Sequence, residues 1–260
     1  MASAADWKAF YAAERSLLGE EGLEEIVARA PLIGLAPGGA IVFPHTKLGV
    51  SGHLPAAAAS SVIASGCEEV LAIGVLHGGN RDDASRRGIH RSCPDEFSLD
   101  GFAALLDVAA RVAGRRAPRI SRRYPFLTGE DPDGLRGMDE MREIVARGAA
   151  IVATADPIHH GHGYGTPPER ILDPADPATA PYARASVYQG FDALARRDYA
   201  AFLVHAQSER SDFRDAGPVL AALLPGAPRA TIHDLVLVDY ADTLGAPRPT
   251  WVAAALASFV

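Results

Sequence analysis

The chain has 260 residues, 48% of them hydrophobic, enough for one sizeable core or at most two small domains. A formal net charge of −7, with basic residues clustered only in pairs such as Arg115-Arg116 and Arg122-Arg123, argues against a nucleic-acid binder. Two cysteines, Cys67 and Cys93, make no disulfide framework and fit a reducing, cytoplasmic setting; no run of 18 apolar residues spans a membrane, and the charged N-terminal stretch does not read as a signal peptide.

Residues 5–30 read as a helix ended by Pro31, and residues 1–37 together form a helical lead-in to one domain spanning 1–260. GGAIVFP (38–44) reads as a short buried strand. LPAAAASSVIASG (54–66) is a helix with Pro55 near its start and Gly66 near its end. EEVLAIGVLHGG (68–79) is a second buried strand closed by a glycine turn, and a polar loop (80–96) leads to the helix FSLDGFAALLDVAARVAG. SRRYPFLTGEDPDGLRG reads as irregular apart from a short strand or turn. MDEMREIVARG is helical and runs into a third buried strand, AAIVATAD (149–156). A long loop (157–181) comes next, then one helix, ASVYQGFDALARRDYAAFLVHAQ, and another at GPVLAALLP. TIHDLVLVDYAD (231–242) is a late strand, and WVAAALASF is expected as an edge strand or a short helix. Apolar strands alternating with helices predict an α/β single domain, its central sheet mostly parallel or mixed and covered by helices on both faces.

Three of the nine histidines fall at comparable places. His45, His77 and His159 each come just beyond the carboxyl end of a predicted buried strand, where open α/β sheets gather ligands. One such histidine is most simply a turn residue, but three placed alike point to a metal. Neutral imidazole suits iron, zinc, copper and nickel; two histidines with one carboxylate leave positions open on Fe(II), and a third histidine is then free to act as acid or base. HExxH and CxxC spacings are absent, which removes the standard zinc-protease and zinc-ribbon readings. DPIHHGHGYG is the densest candidate stretch, with Asp156, His159, His160 and His162 among glycines. By position alone His162 and Tyr164 are candidate substrate contacts, and Lys47 is a candidate for attracting a substrate carboxylate. Ser51 and Gly52 offer backbone amides either to an anion or to ordinary helix capping.

Five stretches in fixed order carry a resemblance. PHTKLGVSG (44–52) is similar to PHAGYxYSG, GVLHG (74–78) to a strand ending in GPSHH, DEFSLD (95–100) to DEHSLE, and TADPIHHG (154–161) to SSDFxHxG. YADTLGAPRPTWVAAALASF is similar to a YAxS region before an alanine-rich tail. These are motifs of the Memo family, which is related in fold to the catalytic subunit of class III extradiol ring-cleavage dioxygenases; the resemblance runs from about residue 38 to the end. It implies that His45 and His77 hold the metal, that His159 is the acid/base near the substrate, and that Asp156 stands beside it. Phe97 departs from the histidine of DEHS. The family's late cysteine has no counterpart here; the matching region is about residues 213–218, with Asp215 expected as the third ligand and Asp212 and Glu209 as alternatives.

The resulting expectation is an Fe(2+)-dependent dioxygenase that takes O2 and a catechol-like or other electron-rich small molecule, with no nucleic-acid or membrane partner and room for a homo-oligomer. The rival expectations are a zinc or copper hydrolase-like enzyme, and a Memo-like binding or redox-signalling protein without ring-cleavage activity.

Overall fold

Short runs such as AIVF, EVLAI and AIVAT contain almost no polar residue, so they satisfy water on neither face and need cover on both. The computed structural model, which describes residues 3–77, 86–127, 131–226 and 228–260, provides that cover. β1 (Ala40–Phe43), β2 (Glu69–Ile73), β4 (Arg119–Phe126) and β5 (Ala150–Thr154) form a parallel core in the order β4-β2-β5-β1. Antiparallel strands complete an eight-stranded mixed sheet: β3 (Gly88–His90) pairs with β4, and β8 (Thr250–Phe259) pairs with β1, β6 (Ile158–Gly161) and β7 (Ala230–Asp239). β7 runs along most of β8, so β1 and β6 share the other edge of β8.

Side chains alternate between faces with the two-residue period of a strand. Ile41, Phe43, Val70, Ala72 and Val152 pack against α1 (Ala4–Arg29), α3 (His53–Ser65) and α4 (Asp100–Val112). Val42, Leu71, Ile73, Ile151 and Ala153 enter the opposite layer with α5 (Met138–Ala146), α6 (Thr179–Ala195), α7 (Tyr199–Ser208) and α8 (Ala216–Leu223). Two four-residue helices, α2 (Leu48–Ser51) and α9 (Ala241–Leu244), come after β1 and β7. The α/β class and helix-covered sheet expected from the sequence are what the fold shows, and no helix among the described residues is long and apolar enough to cross a membrane.

Four local expectations are corrected. The stretch expected to be mostly irregular contains the end of the eight-residue β4; its arginines disguise it, because Arg119 pairs with Glu69, Arg122 with Asp100 and Arg123 with Glu140. The loop after β5 holds β6 and two 3-10 turns, at His162–Tyr164 and Pro168–Arg170. The single helix expected over 185–207 is two, parted where Arg197 takes a positive φ of 57° and Asp198 caps α7 by accepting the amide of Ala201. WVAAALASF is neither an edge strand nor a helix but lies in β8, buried throughout and paired along both edges. Alanine disfavours strands in isolation, but here its small side chains allow close cover on both faces. The glycine turn expected after His77, and residues 80–85 of the adjoining loop, lie outside the described residues.

Gly161 fixes the close approach of β6 to the turn before β8. Its φ is 100°, and a Cβ there would stand 2.0 Å from the carbonyl oxygen of Pro249. Gly161→Ala is expected to destabilise the fold by about 2–3 kcal/mol, read as a lowered midpoint in denaturant, because left-handed strain and a backbone clash coincide. A midpoint equal to wild type would show that β6 relaxes away without cost.

Candidate metal centre

β2, β5 and β1 are adjacent and parallel, so the residues just past their carboxyl ends fall side by side. His45 lies two residues after β1, His77 four after β2 and Asp156 two after β5. A 3-10 turn, Asp212–Arg214, reaches over from the segment between α7 and α8. Two hydrogen bonds clip it down: the Asp156 amide donates to Asp212 Oδ1 at 2.9 Å, and the His159 amide donates to the Glu209 carbonyl at 3.0 Å. His45, His77 and Asp212 then converge, each offering one ligand atom within 4.8 Å of the others.

The ring nitrogens face one another. His45 Nε2 is 3.2 Å from His77 Nε2, 3.2 Å from Asp212 Oδ2 and 3.6 Å from Asp156 Oδ2. Glu96 sets the His77 tautomer. Its Oε1 lies 2.9 Å from His77 Nδ1 and can only accept, so the Nδ1–H donates to it and Nε2 of the neutral ring is a bare lone pair. Asp212 Oδ2 is buried and lacks a hydrogen bond of good geometry. Three electron-rich atoms thus point at one spot, which either a hydrogen on His45 Nε2 or a metal ion would satisfy. Burial pushes the His45 imidazolium pKa down, but Asp156 and Asp212 outweigh it and raise the pKa to about 9. Burial also raises Asp156, against the pull of His45 and with the push of the Asp212 charge; burial pushes Asp212 up too, but the His45 charge outweighs it and carries Asp212 below the usual carboxylate range. The donor set, two imidazoles and one carboxylate, is of a kind that could hold a divalent transition metal, iron(II) among them.

The supporting groups are as specific as the ligands. Glu96 also accepts the amides of His77, at 2.7 Å, Phe97 and Ser98. Thr154 Oγ1 lies 2.9 Å from His45 Nδ1, and Asp156 Oδ1 accepts the His45 amide at 3.3 Å. Phe97, standing where the resembled motif has histidine, stacks on His77 with ring centroids 4.3 Å apart, and Tyr11 of α1 stacks on Phe97 in turn at 5.1 Å. Sequence reasoning misses these roles of Glu96, Phe97 and Thr154; the only signals for them are the DEFSLD stretch for the first two and the TADPIHHG stretch for Thr154.

The other expected residues divide. His159 lies beside the group, forming with Asp156 and Asp212 a second set of ligand atoms within 4.8 Å. Its Nδ1 is 2.8 Å from the Arg210 carbonyl, so it donates there and leaves Nε2 with the lone pair. Burial lowers the His159 pKa, Asp212 opposing and His45 reinforcing the shift, which keeps the ring neutral. Tyr164 meets His159 at 4.9 Å between centroids; burial, with Asp156 and Asp212, pushes its phenol pKa up. His160 belongs to the scaffold, stacked on Trp251 and accepting the Leu172 amide. His162 is exposed on its 3-10 turn.

Two expectations change. Asp215 is not in either group of ligand atoms: it is buried at the start of α8, where its Oδ1 accepts the Leu127 amide at 3.3 Å. Asp212 takes the place, because buried Phe213 and the Ser211 cap hold the 3-10 turn with Asp212 toward β5. Glu209, the other alternative, accepts the hydroxyl of Tyr182. Lys47 donates to the Asp239 carbonyl at 2.7 Å and sits over the Tyr240 ring, so its ammonium is engaged in holding the loop. The amides of Ser51 and Gly52 donate to the Lys47 and Leu48 carbonyls as helical turns do, so they are not turned to an anion, and α3 has no side-chain cap from either residue. No family model matches this chain, and neither does any curated protein.

Removing the carboxylate charge behind His77 should weaken the centre without unfolding it. Glu96→Gln is expected to lower metal affinity about 10- to 100-fold in chelator competition while the circular dichroism spectrum is kept. Unchanged affinity would reduce Glu96 to a loop staple. The raised His45 pKa also predicts a pH dependence for the metal-free protein. Protonated His45 contributes stability that is complete below the unfolded-state value near 6.5 and fades as pH rises toward about 9. Metal-free protein should therefore lose up to about 3 kcal/mol between those pH values in denaturant titrations, and a bound divalent metal, which replaces that proton, should flatten the slope. An equal slope with and without metal would dismiss the replacement.

Proposed function

We propose that this protein is a non-heme Fe(II)-dependent dioxygenase acting on a catechol-like or other electron-rich small molecule. The observation that carries the reading is the His45, His77 and Asp212 group with a neutral, separately anchored His159 beside it. The ordered motifs similar to those of the Memo family support it from the sequence side. Bound iron(II) would supply redox electrons and open positions for O2 and adjacent substrate oxygens.

The remaining work falls to the protein's own groups. His45 and His77 present Nε2 atoms whose directions Thr154 and Glu96 fix. His159 Nε2 takes the proton of a substrate hydroxyl and returns it later, with Nδ1–H held on the Arg210 carbonyl throughout. Tyr164, kept as a phenol, donates a hydrogen bond to developing negative charge on the substrate. Phe97 and Tyr11 exclude water from the back of His77. A metal-dependent hydrolase is the second reading, favoured by one observation: buried Asp156 lies within reach of Asp212 and His159, where a base for a hydrolytic water would stand.

Anaerobic purification followed by metal analysis and O2 uptake over a catechol panel separates the readings. Near-stoichiometric iron with substrate-dependent O2 consumption is the expected result. Zinc at full occupancy without O2 uptake would favour the hydrolase, and bound iron without uptake would favour a Memo-like redox or signalling role. His45→Ala, His77→Ala and Asp212→Ala are each expected to lose most of the metal. His159→Ala is expected to keep the metal and lose turnover by roughly 10²- to 10⁴-fold. A metal-free His159→Ala protein would make His159 a ligand and refute its assignment as the base.

A further inference from the structure

Glycines aside, Arg197 and Arg210 are the described residues with a left-handed backbone, at φ 57° and 55°. Each follows the end of a helix, α6 or α7, at the position where glycine is the usual choice. The chain turns back in the same way at both. The Arg197 amide donates to Leu194 and the Asp198 amide to Ala193, while the Arg210 amide donates to Gln207 and the Ser211 amide to Ala206. Each guanidinium then reaches a carbonyl of another segment, Arg197 that of Leu224 and Arg210 that of Gly165, both at 2.7 Å. Glycine would make either turn with less strain and without that bond.

What sets Arg210 apart is the destination of its bonds. Leaving α7 in the left-handed region, the chain offers two successive carbonyls to one histidine. The His159 amide donates to Glu209 at 3.0 Å, and His159 Nδ1 donates to Arg210 at 2.8 Å. The Arg210 guanidinium meanwhile holds Gly165, which ends the 3-10 turn that carries Tyr164, and the Tyr164 ring lies edge-on to His159. One residue is thus tied to both groups on the open side of the centre, and Asp212 follows it two positions later.

We propose that Arg210 is a positioning residue that sets His159 and Tyr164 together. Its carbonyl fixes which ring nitrogen of His159 carries the hydrogen, and its guanidinium keeps the Tyr164 turn against that ring. The inference rests on the dioxygenase reading for the roles of the two side chains, though not for the coupling between them. Three substitutions separate the parts. Arg210→Gly keeps the left-handed turn and removes the guanidinium. Arg210→Lys restores a cationic donor. Arg210→Val brings a β-branched residue that resists positive φ and so swings the carbonyl off His159. Arg197→Gly is the control, trimming the same kind of cap where the guanidinium goes to Leu224 instead.

The first measurement is nuclear magnetic resonance on the metal-free full chain with 15N-labelled histidine. Wild-type His159 should show a protonated Nδ1 and a bare Nε2, and a nuclear Overhauser contact with the Tyr164 ring. Arg210→Gly should keep the tautomer and a denaturant midpoint at or above wild type while the ring contact weakens several-fold. Arg210→Lys should restore most of the contact, Arg210→Val should mix the tautomers, and Arg197→Gly should change neither signal. In iron-loaded protein, with a catechol that the wild type consumes, kcat should fall about 10-fold in Arg210→Gly with KM held within about two-fold, and recover toward wild type in Arg210→Lys. An undiminished ring contact in Arg210→Gly would overturn the proposal and leave Arg210 an ordinary helix cap. An equal loss in Arg197→Gly would overturn it as well. The resonance measurement needs neither iron nor turnover. The expected loss of contact in a protein that consumes no O2 with any catechol would support the positioning role and remove the dioxygenase reading. O2 consumption with the contact intact in Arg210→Gly would do the reverse.

Discussion

Two imidazole nitrogens and a buried carboxylate oxygen, each with electrons directed at one point, are unstable company unless something positive lies among them. Much of the surrounding structure holds that arrangement in place. Glu96 denies His77 any other tautomer, the Asp156 amide pins Asp212 through its second oxygen, and Thr154 holds the back of the His45 ring. The sheet sets the spacing, because β2, β5 and β1 are neighbours in that order and their carboxyl ends are level. Burying Asp156 and Asp212 next to each other costs stability in the bare protein. In the bare protein the compensation comes from the imidazolium of His45, which Asp156 and Asp212 hold protonated.

The first helix is part of this arrangement. Glu14 accepts two amides at the start of α2, immediately after the His45 loop, where helix-end N–H groups lack internal partners. Tyr11 reaches in beneath Phe97 and bonds Tyr240, and Trp7 packs against both tyrosines. A segment that reads as a lead-in along the sequence is in space a wall behind His45 and His77, tying the loops after β1, β3 and β7 to one element.

The parts of this design that could be read from the sequence are those with strong local physics. Unbroken apolar runs reveal β1, β2 and β5, and glycine and proline punctuation reveals the ends of α1 and α3. The histidines after the strands reflect the general habit of parallel sheets. What stays hidden depends on partners distant in sequence. β4 looks polar until its arginines meet Glu69, Asp100 and Glu140. β8 looks helical because alanine-rich runs usually are, and only cover on both faces and pairing at both edges reverses that preference. Asp212 and Asp215 are three residues apart in an acidic stretch; the turn anchored by Phe213 decides which of them faces the histidines, and nothing local to the sequence encodes that direction. Glu96 sits in a recognised motif, but its hold on His77 requires the loop to fold back under β2.

β8 is the strand that makes the pieces one sheet: Val42 of β1 lies beside Ala257, and His159 of β6 lies beside Val252. Val42 and Ala257 are 215 positions apart in the chain, so their pairing closes a very large loop and has to wait on most of the polypeptide. Until β8 slots in, β1 has a bare edge, β6 has no strand to lie on, and the histidines at 45 and 159 have no fixed relation to each other. The placing of His159 beside the group set by β2, β5 and β1 is therefore completed only when the alanine-rich strand arrives.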